Sequence, residues 1–268
     1  MDKQMIWPEN RKAAAMVTVE LDNELIWASM GERFRTVKTL SVGTYGIHRG
    51  LDRILNSLDR YGIRATFFVP GRIAQMYPEA VEKVNGLGHE IALHGYLHED
   101  FKNLTAEEQQ KVLETGRKAL EECTGKVLKG FRLPEGNCTA DTRRLLAEQG
   151  FLYDNSFFDR DTPYVISWDE KRLVEIPMRW ETQDFPYLAW GYGFPPGKSR
   201  IAIYDHVLEN WLDEWKAYYE MGLCYVIKFD PQMTGSPGRI FMVDEMLRQI
   251  KETDAWIATG EEIARLYM

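Results

Sequence analysis

Short apolar stretches alternate along this chain with segments that have the periodicity of amphipathic helices. A short apolar run is typical of a strand buried on both faces, as in a parallel sheet covered by helices. Because strand and helix patterns alternate, we expect an α/β fold whose parallel sheet is closed or nearly closed as a barrel. The runs predicted to form strands are residues 14–21, 65–69, 90–93, 130–133, 174–178 and 224–229.

Two of the predicted helices carry residues that mark their ends. Thr105 and Glu108 have the spacing of a capping box, and Gly125 stands where this helix should end. Thr139 can cap a second helix, which should end at Gly150. These end signals support the alternation of strands and helices.

One region interrupts the alternation because it is aromatic and has no clear periodicity. It extends from about residue 157 to residue 197, and we expect it to be a long loop inserted within a single domain that covers residues 1–268. Its aromatic side chains could face a substrate, or they could cover hydrophobic surface at an oligomer contact. The sequence leaves both interpretations open.

Composition and charge exclude several classes of function. The formal net charge of −8 argues against binding to nucleic acid, which requires clustered lysine and arginine. The chain has neither an apolar stretch of membrane-spanning length nor the pattern of a secretory signal, so we expect no membrane partner and a cytoplasmic location. Cys123, Cys138 and Cys224 are too far apart for a sulfur-ligated zinc site and fit a reducing compartment.

A pair of histidines follows the predicted strand at residues 90–93. The chain has only five histidines, and His94 and His98 are four positions apart. On one helical turn this spacing would present both imidazoles on the same side. Reactive groups of parallel α/β folds gather at the carboxyl ends of the strands, and imidazole is a common ligand of zinc and similar ions. The pair therefore suggests two ligands of a metal site.

Acidic residues at the end of the first predicted strand could complete that site. Glu20 and Asp22 alternate with Leu21, so their side chains should face the same spot. A catalytic metal site normally has three protein ligands and an open position for water. One carboxylate could bind the metal while the other accepts a proton from water. The alternative is a solvated strand end or a helix cap.

Six blocks of sequence, taken in order, are similar to one enzyme family. The chain resembles the polysaccharide deacetylases of the NodB-homology type, carbohydrate esterase family 4, and within them a branch that includes peptidoglycan deacetylases, allantoinases and cyclic imide hydrolases. The resemblance spans nearly the whole chain and implies a distorted, seven-stranded β/α barrel. The blocks that carry it are Tyr45-Gly46, RATFFVPG at 64–71, GHEIALHGYLHE at 88–99, GFRLPEGN at 130–137, YDNS at 153–156 and DPQMTGSPGR at 230–239.

The resemblance implies a role for each candidate residue. It implies that Asp22, His94 and His98 bind a divalent metal ion, most often zinc. It also implies that Glu20 is the general base and that Arg132 orients the carboxylate of this base through paired hydrogen bonds.

Two positions depart from the family pattern. The family usually has an aspartate where Glu20 stands, and a histidine that acts as general acid where Asp230 stands. An aspartate can donate a proton near neutral pH only if its pKa lies well above about 3.9. Asp230 could meet this condition, could be ionised and hydrogen-bonded to Arg132 or another donor, or could bind the metal as an additional ligand.

The resemblance implies a metal-dependent hydrolase of amide C–N bonds other than peptide bonds, which removes acetyl groups from N-acetylated amino sugars. One alternative is an enzyme that opens the ring of cyclic imides or ureides. A second alternative is a catalytically impaired descendant that binds a metal or a ligand. We expect a small amide or amino-sugar substrate, and a homo-oligomer that is a dimer or a tetramer.

Overall fold

A computed structural model describes residues 7–134, 137–190 and 201–268, and its strands form one curled sheet. Seven strands run parallel in the order β7-β5-β4-β3-β2-β1-β8, while β6 pairs antiparallel with β7, and β9 pairs with β1. The strands are β1 Ala13–Glu20, β2 Thr66–Val69, β3 Glu90–Leu93, β4 Gly130–Phe131, β5 Tyr153–Asp154, β6 Tyr164–Trp168, β7 Lys171–Glu175, β8 Cys224–Phe229 and β9 Ala255–Ile257.

The predicted α/β barrel architecture is confirmed, with a sheet that curls into a half-barrel. Between the β7 side and β8, the pairing found among the described residues is a single parallel bridge that joins Gln183 to Lys228. This bridge brings the segment after β7 next to the last strand of the parallel set. It places the side chains around Gln183 close to the carboxyl end of β1, which pairs with β8.

Helices cover the outside of the sheet. They are α1 Glu24–Ser29, α2 Val37–Tyr45, α3 Leu51–Tyr61, α4 Gly71–Met76, α5 Pro78–Gly86, α6 Ala106–Thr124, α7 Ala140–Glu148, α8 Phe185–Leu188, α9 Tyr204–Met221, α10 Ile240–Lys251 and α11 Gly260–Tyr267. A π-helix, Gly46–Gly50, joins α2 to α3. In the described residues, no helix is long and apolar enough to span a membrane.

The predicted ends of two helices are confirmed. The Thr105 hydroxyl accepts from the amide of Glu108, and the Glu108 carboxylate accepts from the amide of Thr105, so the capping box of α6 is complete. Gly125 follows this helix with φ of 68°, a left-handed conformation that glycine adopts without steric cost. Thr139 precedes α7, and Gly150 ends it in the same region of φ.

Part of the predicted loop insertion is a β-hairpin. The strands β6 and β7 lie within residues 157–197, and β7 pairs with β5 through buried Val174 and Glu175. The predicted strand at residues 174–178 overlaps the buried end of β7, but β7 begins earlier, with the exposed Lys171 and Arg172. Residues 191–197 lie outside the described residues, and the assignment of one domain to residues 1–268 stays a prediction.

Alternation along β1 divides the core into an outer and an inner layer. Val17, Val19 and Leu21 belong to the hydrophobic layer between the sheet and the helices. Met16 belongs to the layer inside the curled sheet. Since successive side chains point to opposite faces, Glu20 follows Met16 toward the inside. By the same alternation, the polar side chains that follow β3 and β4 point to the inside of the curled sheet. They form a polar surface at the carboxyl end of the strands.

Candidate metal centre and active site

Three predicted ligands come together at the carboxyl end of the sheet. Asp22, His94 and His98 are buried, and one ligand atom from each lies within 4.8 Å of the others. Nε2 of His94 is 3.5 Å from Oδ1 of Asp22, and Nε2 of His98 is 3.5 Å from Oδ2. Tetrahedral zinc with bonds of about 2.0–2.1 Å separates its ligand atoms by roughly 3.3 Å. The spacing of these atoms therefore suits a divalent ion.

A hydrogen bond at Nδ1 of His94 orients the ring so that Nε2 faces Asp22. Nδ1 of His94 lies 2.8 Å from the carbonyl oxygen of Arg132, which can only accept, so Nδ1 carries the hydrogen. Burial lowers the pKa of His94 below its ordinary value, which favours the neutral ring. The lone pair of a neutral imidazole is then on Nε2, the atom that faces the carboxylate.

His98 has a comparable contact on its far side. Its Nδ1 lies 3.1 Å from the hydroxyl of Ser29, and this hydroxyl donates to the carbonyl of Ile26 at 2.8 Å. The oxygen of Ser29 can thus accept a hydrogen from Nδ1. Such contacts fix the orientation of a ligating imidazole and leave its other nitrogen for the metal.

The unpaired buried oxygen and nitrogen atoms of the cluster are suited to bind a cation. Both carboxylate oxygens of Asp22 and Nε2 of His94 are buried and have no hydrogen-bond partner in the described part of the chain. A buried carboxylate that accepts no hydrogen bond is costly, and a neutral imidazole nitrogen next to it cannot donate. A bound divalent ion satisfies all of these atoms at once.

The two histidines do not lie on a helical turn, so that part of the prediction is wrong. Residues 94–98 form an irregular loop after β3, in which Gly95 has φ of 69° and His98 has φ of 64°. The Glu99 carboxylate accepts from the amides of Tyr96 and Leu97 and holds the loop in shape. A histidine in this region of φ is uncommon and is often found at a functional site.

Glu20 lies beside this cluster and contacts two cations. Its Oε1 accepts from Nη1 of Arg132 at 3.1 Å, and its Oε2 accepts from Nζ of Lys228 at 2.8 Å. Burial alone would raise the pKa of Glu20, but the positive charges of Lys228 and Arg132 outweigh this effect and hold the pKa well below its usual range. The predicted contact between Glu20 and Arg132 is present as one hydrogen bond and not as the expected pair, because Nη2 of Arg132 donates to Thr18 and Asn155 instead.

Arg132 is itself held by three other groups. Its guanidinium donates to Oγ of Thr18 at 3.0 Å, to the carbonyl of Asn155 at 3.2 Å and to the Asn155 side chain. The guanidinium carbon also lies 4.0 Å from the centre of the Phe68 ring. The Asn155 of the YDNS block therefore positions the arginine, a role that the sequence alone did not reveal.

Asp230 lies directly after β8, outside the group of potential metal ligands in the described residues. Its two carboxylate oxygens accept from the backbone and side-chain nitrogens of Gln232 at 3.0 and 3.1 Å. Among the described residues it has no hydrogen bond to Arg132. Burial and the neighbouring Asp184 raise the pKa of Asp230 well above its ordinary value. Of the three expectations for Asp230, an additional metal ligand is not supported among the described residues, whereas the hydrogen bonds from Gln232 fit a carboxyl that is held by another donor.

A cavity of about 160 Å³ opens onto the site. Its floor contains Glu20, His98, Arg132 and Lys228. Its walls are mostly apolar and are formed by Ile26, Met30, Leu133, Pro134, Phe158, Met178, Trp180, Phe185 and Pro186, with Ser156 and Gln183 as polar neighbours. The rings of Phe158 and Trp180 stack with centres 4.4 Å apart. Part of the aromatic stretch thus faces the candidate active site.

Lys228 and Asp184 are site residues that the sequence analysis missed. Lys228 is buried within β8, where it looks like an isolated charge in an apolar strand. The signal that could have found it is its position on the same alternating face as Asp230. Asp184 gave no usable signal, because only the fold brings it beside β8.

Comparison with known proteins places these residues in a family context. The family described as Polysaccharide deacetylase matches residues 43–153. This part contains His94, His98 and Arg132, whereas Glu20, Asp22 and Asp230 lie outside it. Of the curated relatives, the "Peptidoglycan deacetylase-like protein FGM2" of Gibberella zeae is 28% identical and aligns over 96% of this chain and 87% of its own. The "Peptidoglycan deacetylase" of Helicobacter pylori is 26% identical over 83% and 85%.

Solved structures extend the likeness over nearly the whole chain. A Mycobacterium smegmatis crystal structure that carries the name polysaccharide deacetylase has a TM-score of 0.94 and 33% identity, and the match covers 98% of this chain and 92% of that one. The structure named Puue Allantoinase has a TM-score of 0.84 and 24% identity over 97% and 91%. The second likeness concerns the fold alone.

Proposed function

This chain belongs to the polysaccharide deacetylase family, and on that premise we propose that it is a metal-dependent hydrolase that removes acetyl groups from N-acetylated amino sugars. The observation that supports this proposal most strongly is the buried set of Asp22, His94 and His98 beside a cavity that contains Glu20. We propose that these three side chains bind a divalent ion, and that the ion is zinc, because two imidazoles and one carboxylate leave a fourth position open.

The residues on the cavity floor have different roles in the proposed reaction. A bound divalent ion supplies a Lewis acid that polarises an amide carbonyl and makes water more acidic. Glu20 is ionised and accepts the proton of the attacking water. Arg132 donates to Oε1 of Glu20 and keeps this oxygen from turning away from the cavity.

The leaving nitrogen needs a proton when the tetrahedral intermediate collapses. We assign this proton to Asp230, because burial and the neighbouring Asp184 raise the pKa of its carboxyl well above the ordinary value. The hydrogen bonds from Gln232 hold this carboxyl in one orientation. An aspartic acid in this role replaces the histidine that the family pattern leads one to expect.

A second candidate function is the opening of a planar cyclic imide or ureide. It is favoured by the apolar walls of the cavity, whose volume of about 160 Å³ is close to that of an engineered cavity that binds benzene. A flat ring can bury both faces against such walls, whereas a sugar ring presents hydroxyl groups that need polar partners.

One experiment separates these functions. The purified protein is analysed for metal, treated with a chelator, reloaded with zinc, and then offered N-acetylglucosamine oligomers and cyclic imides in parallel. The first proposal predicts about one ion per chain and zinc-dependent release of acetate. Turnover of the cyclic compounds alone would support the second candidate. Bound zinc with no turnover of either class would instead indicate a metal-binding descendant without catalysis.

We also propose that the chain forms a homo-oligomer and that it is located in the cytoplasm. Light scattering after size-exclusion chromatography measures the first directly. A dimer or tetramer is the expected result, and a monomer at all concentrations would contradict it.

A further inference from the structure

Lys228 is a buried cation at the floor of the cavity. Its neighbours in β8, Ile227 and Phe229, belong to the outer hydrophobic layer, so the lysine side chain points inward. In the parallel register Lys228 pairs with Thr18 of β1, which lies two residues before Glu20 and on the same face of the strand. A buried ammonium is costly unless it is paired, and its partners therefore show what it does.

The first partner of Lys228 is Glu20. Nζ of Lys228 donates to Oε2 at 2.8 Å, while Nη1 of Arg132 donates to Oε1 of the same carboxylate at 3.1 Å. The two cations come from opposite sides, since β8 and β4 lie on different sides of β1 in the sheet. A single cation would hold one oxygen and allow the carboxylate to rotate about its last bond, but two cations fix both oxygens.

The second partner of Lys228 is Asp184. Oδ1 of Asp184 lies 3.7 Å from Nζ, and Oδ2 accepts from the amide of Asp230 at 2.6 Å and from Oγ of Thr234 at 3.0 Å. Asp184 thus connects the lysine to the backbone turn that carries Asp230. The bridge between Gln183 and Lys228 holds the two segments side by side.

We propose that Lys228 is a positioning residue of the reaction, which holds Glu20 through Oε2 and holds the turn that carries Asp230 through Asp184. This inference rests on the proposed function, because it assigns the lysine a task toward the base and the acid of that same site. One side chain therefore sets the separation of the two groups that transfer protons. Neither the spacing of the family motifs nor the apolar pattern of β8 indicates this task.

A purely structural lysine would predict different behaviour from a positioning lysine. Replacing it with an apolar side chain would then change stability and would affect substrate binding and turnover together. A positioning lysine affects the proton-transfer steps, so its loss lowers kcat and leaves KM nearly constant. Its effect also disappears when Glu20 has already been replaced, because the two side chains act through one contact.

The test uses zinc-loaded full-length protein and two readouts. The first is the Kd of acetohydroxamate, a small chelator of divalent ions whose N–H can donate to a neighbouring carboxylate; it requires no turnover. The second is kcat and KM on whichever substrate class the zinc-dependent panel identifies. The variants are Lys228→Met and Lys228→Arg, each with Glu20 intact and with Glu20→Gln, and the zinc content of every variant is measured.

We expect Lys228→Met to keep its zinc, to bind acetohydroxamate about tenfold more weakly, and to lose about 10²-fold in kcat with KM nearly unchanged. Lys228→Arg should recover most of both effects because it restores a donor to Oε2. In the Glu20→Gln background, the change to methionine should have no further effect on Kd. Equal Kd values for the wild type and both lysine variants, or additive effects in the double variant, would overturn the inference.

The failure of the proposed function gives a different result. If zinc-loaded wild-type protein does not bind acetohydroxamate, both the proposed metal site and the inference that rests on it are wrong. If the Lys228→Met protein is too unstable to purify, Lys228→Gln tests the charge separately, since its amide can still donate a hydrogen bond but carries no charge. Wild-type Kd and kcat in this variant would contradict a role for the lysine charge.

Discussion

Two glutamates, the buried Glu20 and the partly buried Glu90, lie at opposite ends of the sheet and have opposite electrostatic environments. Glu20 ends β1 at the carboxyl side, where Arg132 and Lys228 donate to it and hold its pKa well below the ordinary value. Glu90 begins β3 at the amino side. Its oxygens accept from Oγ of Thr66, the hydroxyl of Tyr153 and the amide of Glu261, and burial raises its pKa from 4.5 to about 7.

Loss of contact with water does not by itself decide the charge of a carboxyl group. Both glutamates lose water, but only Glu20 has gained cations. The cost of desolvation favours the neutral acid unless opposite charges compensate for it. In barrels of this kind, reactions take place at the carboxyl end of the strands. At this end, Arg132 and Lys228 supply the positive charges that Glu20 contacts. Neutral donors at the amino end are sufficient for a structural role.

The largest effect is expected at the metal cluster. His98→Ala should remove the bound ion and reduce zinc-dependent turnover by at least about 10³-fold, because only two ligands remain. Metal analysis and kinetics on the same preparation measure both quantities. His89, which accepts from the amide of Ala65, provides the matched control on the amino side, and His89→Ala should retain the ion. A His98→Ala protein with full zinc content would refute the assignment.

The next effect compares the two glutamates directly. Glu20→Gln removes the proposed base and should lower kcat about 10³-fold, while zinc binding persists. Glu90→Gln makes the identical chemical change at the other end of the sheet and should leave kcat within about twofold. Steady-state kinetics on both variants test the comparison. Similar losses in the two variants would mean that the ends are not functionally distinct.

A smaller effect is expected at the proton donor. Asp230→His introduces the residue that the family pattern has at this position and should retain the ion. If the donor limits the reaction, deacetylation should rise by about tenfold, since imidazole titrates closer to neutral pH than a buried carboxyl does. Rates measured across a range of pH test this expectation. An unchanged or lower rate at every pH would contradict the proposed role of Asp230.

The smallest effect concerns the pH dependence of stability. A carboxyl whose pKa is raised in the folded state stabilises the protein below its unfolded pKa, and the stabilisation is lost as the pH rises through the folded value. For Glu90 this window extends from 4.5 to about 7. Over this pH range, the free energy of unfolding of the wild type should therefore fall by about 2–3 kcal/mol more than that of Glu90→Gln.

Urea unfolding of both proteins at a pH of about 5 and of about 8 measures this difference. Titration of other groups cancels between the two proteins because only one carboxyl has been replaced. Parallel curves for wild type and variant would show that Glu90 does not carry a raised pKa.

The sequence predicted where Glu20, Asp22 and the two histidines lie better than it predicted the residues around them. Alternation along β1 placed Glu20 and Asp22 on one face, and Leu21 does lie in the outer layer as required. The structure brings the histidine pair together with Asp22, but not on the predicted helical turn, because the loop depends on Gly95 and on the left-handed conformation of His98. Backbone conformation of this kind is set by tertiary contacts and has no periodic signature.

Other parts of the structure escaped prediction because they depend on distant residues. The strand β5 has only two residues, and β9 has three, so neither produces a recognisable apolar run. Lys228 interrupts an apolar strand, and its ion pair with Glu20 forms only because β1 pairs with β8 in the fold. Contacts between side chains more than 200 positions apart cannot be read from local pattern.

The proposed reaction requires that Asp22, His94 and His98 together hold one divalent ion next to Glu20. Anomalous diffraction from crystals of the zinc-loaded protein locates such an ion. We predict one zinc ion bound by a carboxylate oxygen of Asp22 and by Nε2 of both His94 and His98, at about 2.0–2.2 Å from each. Zinc found elsewhere, or no anomalous signal between these three side chains in fully loaded protein, would contradict the account.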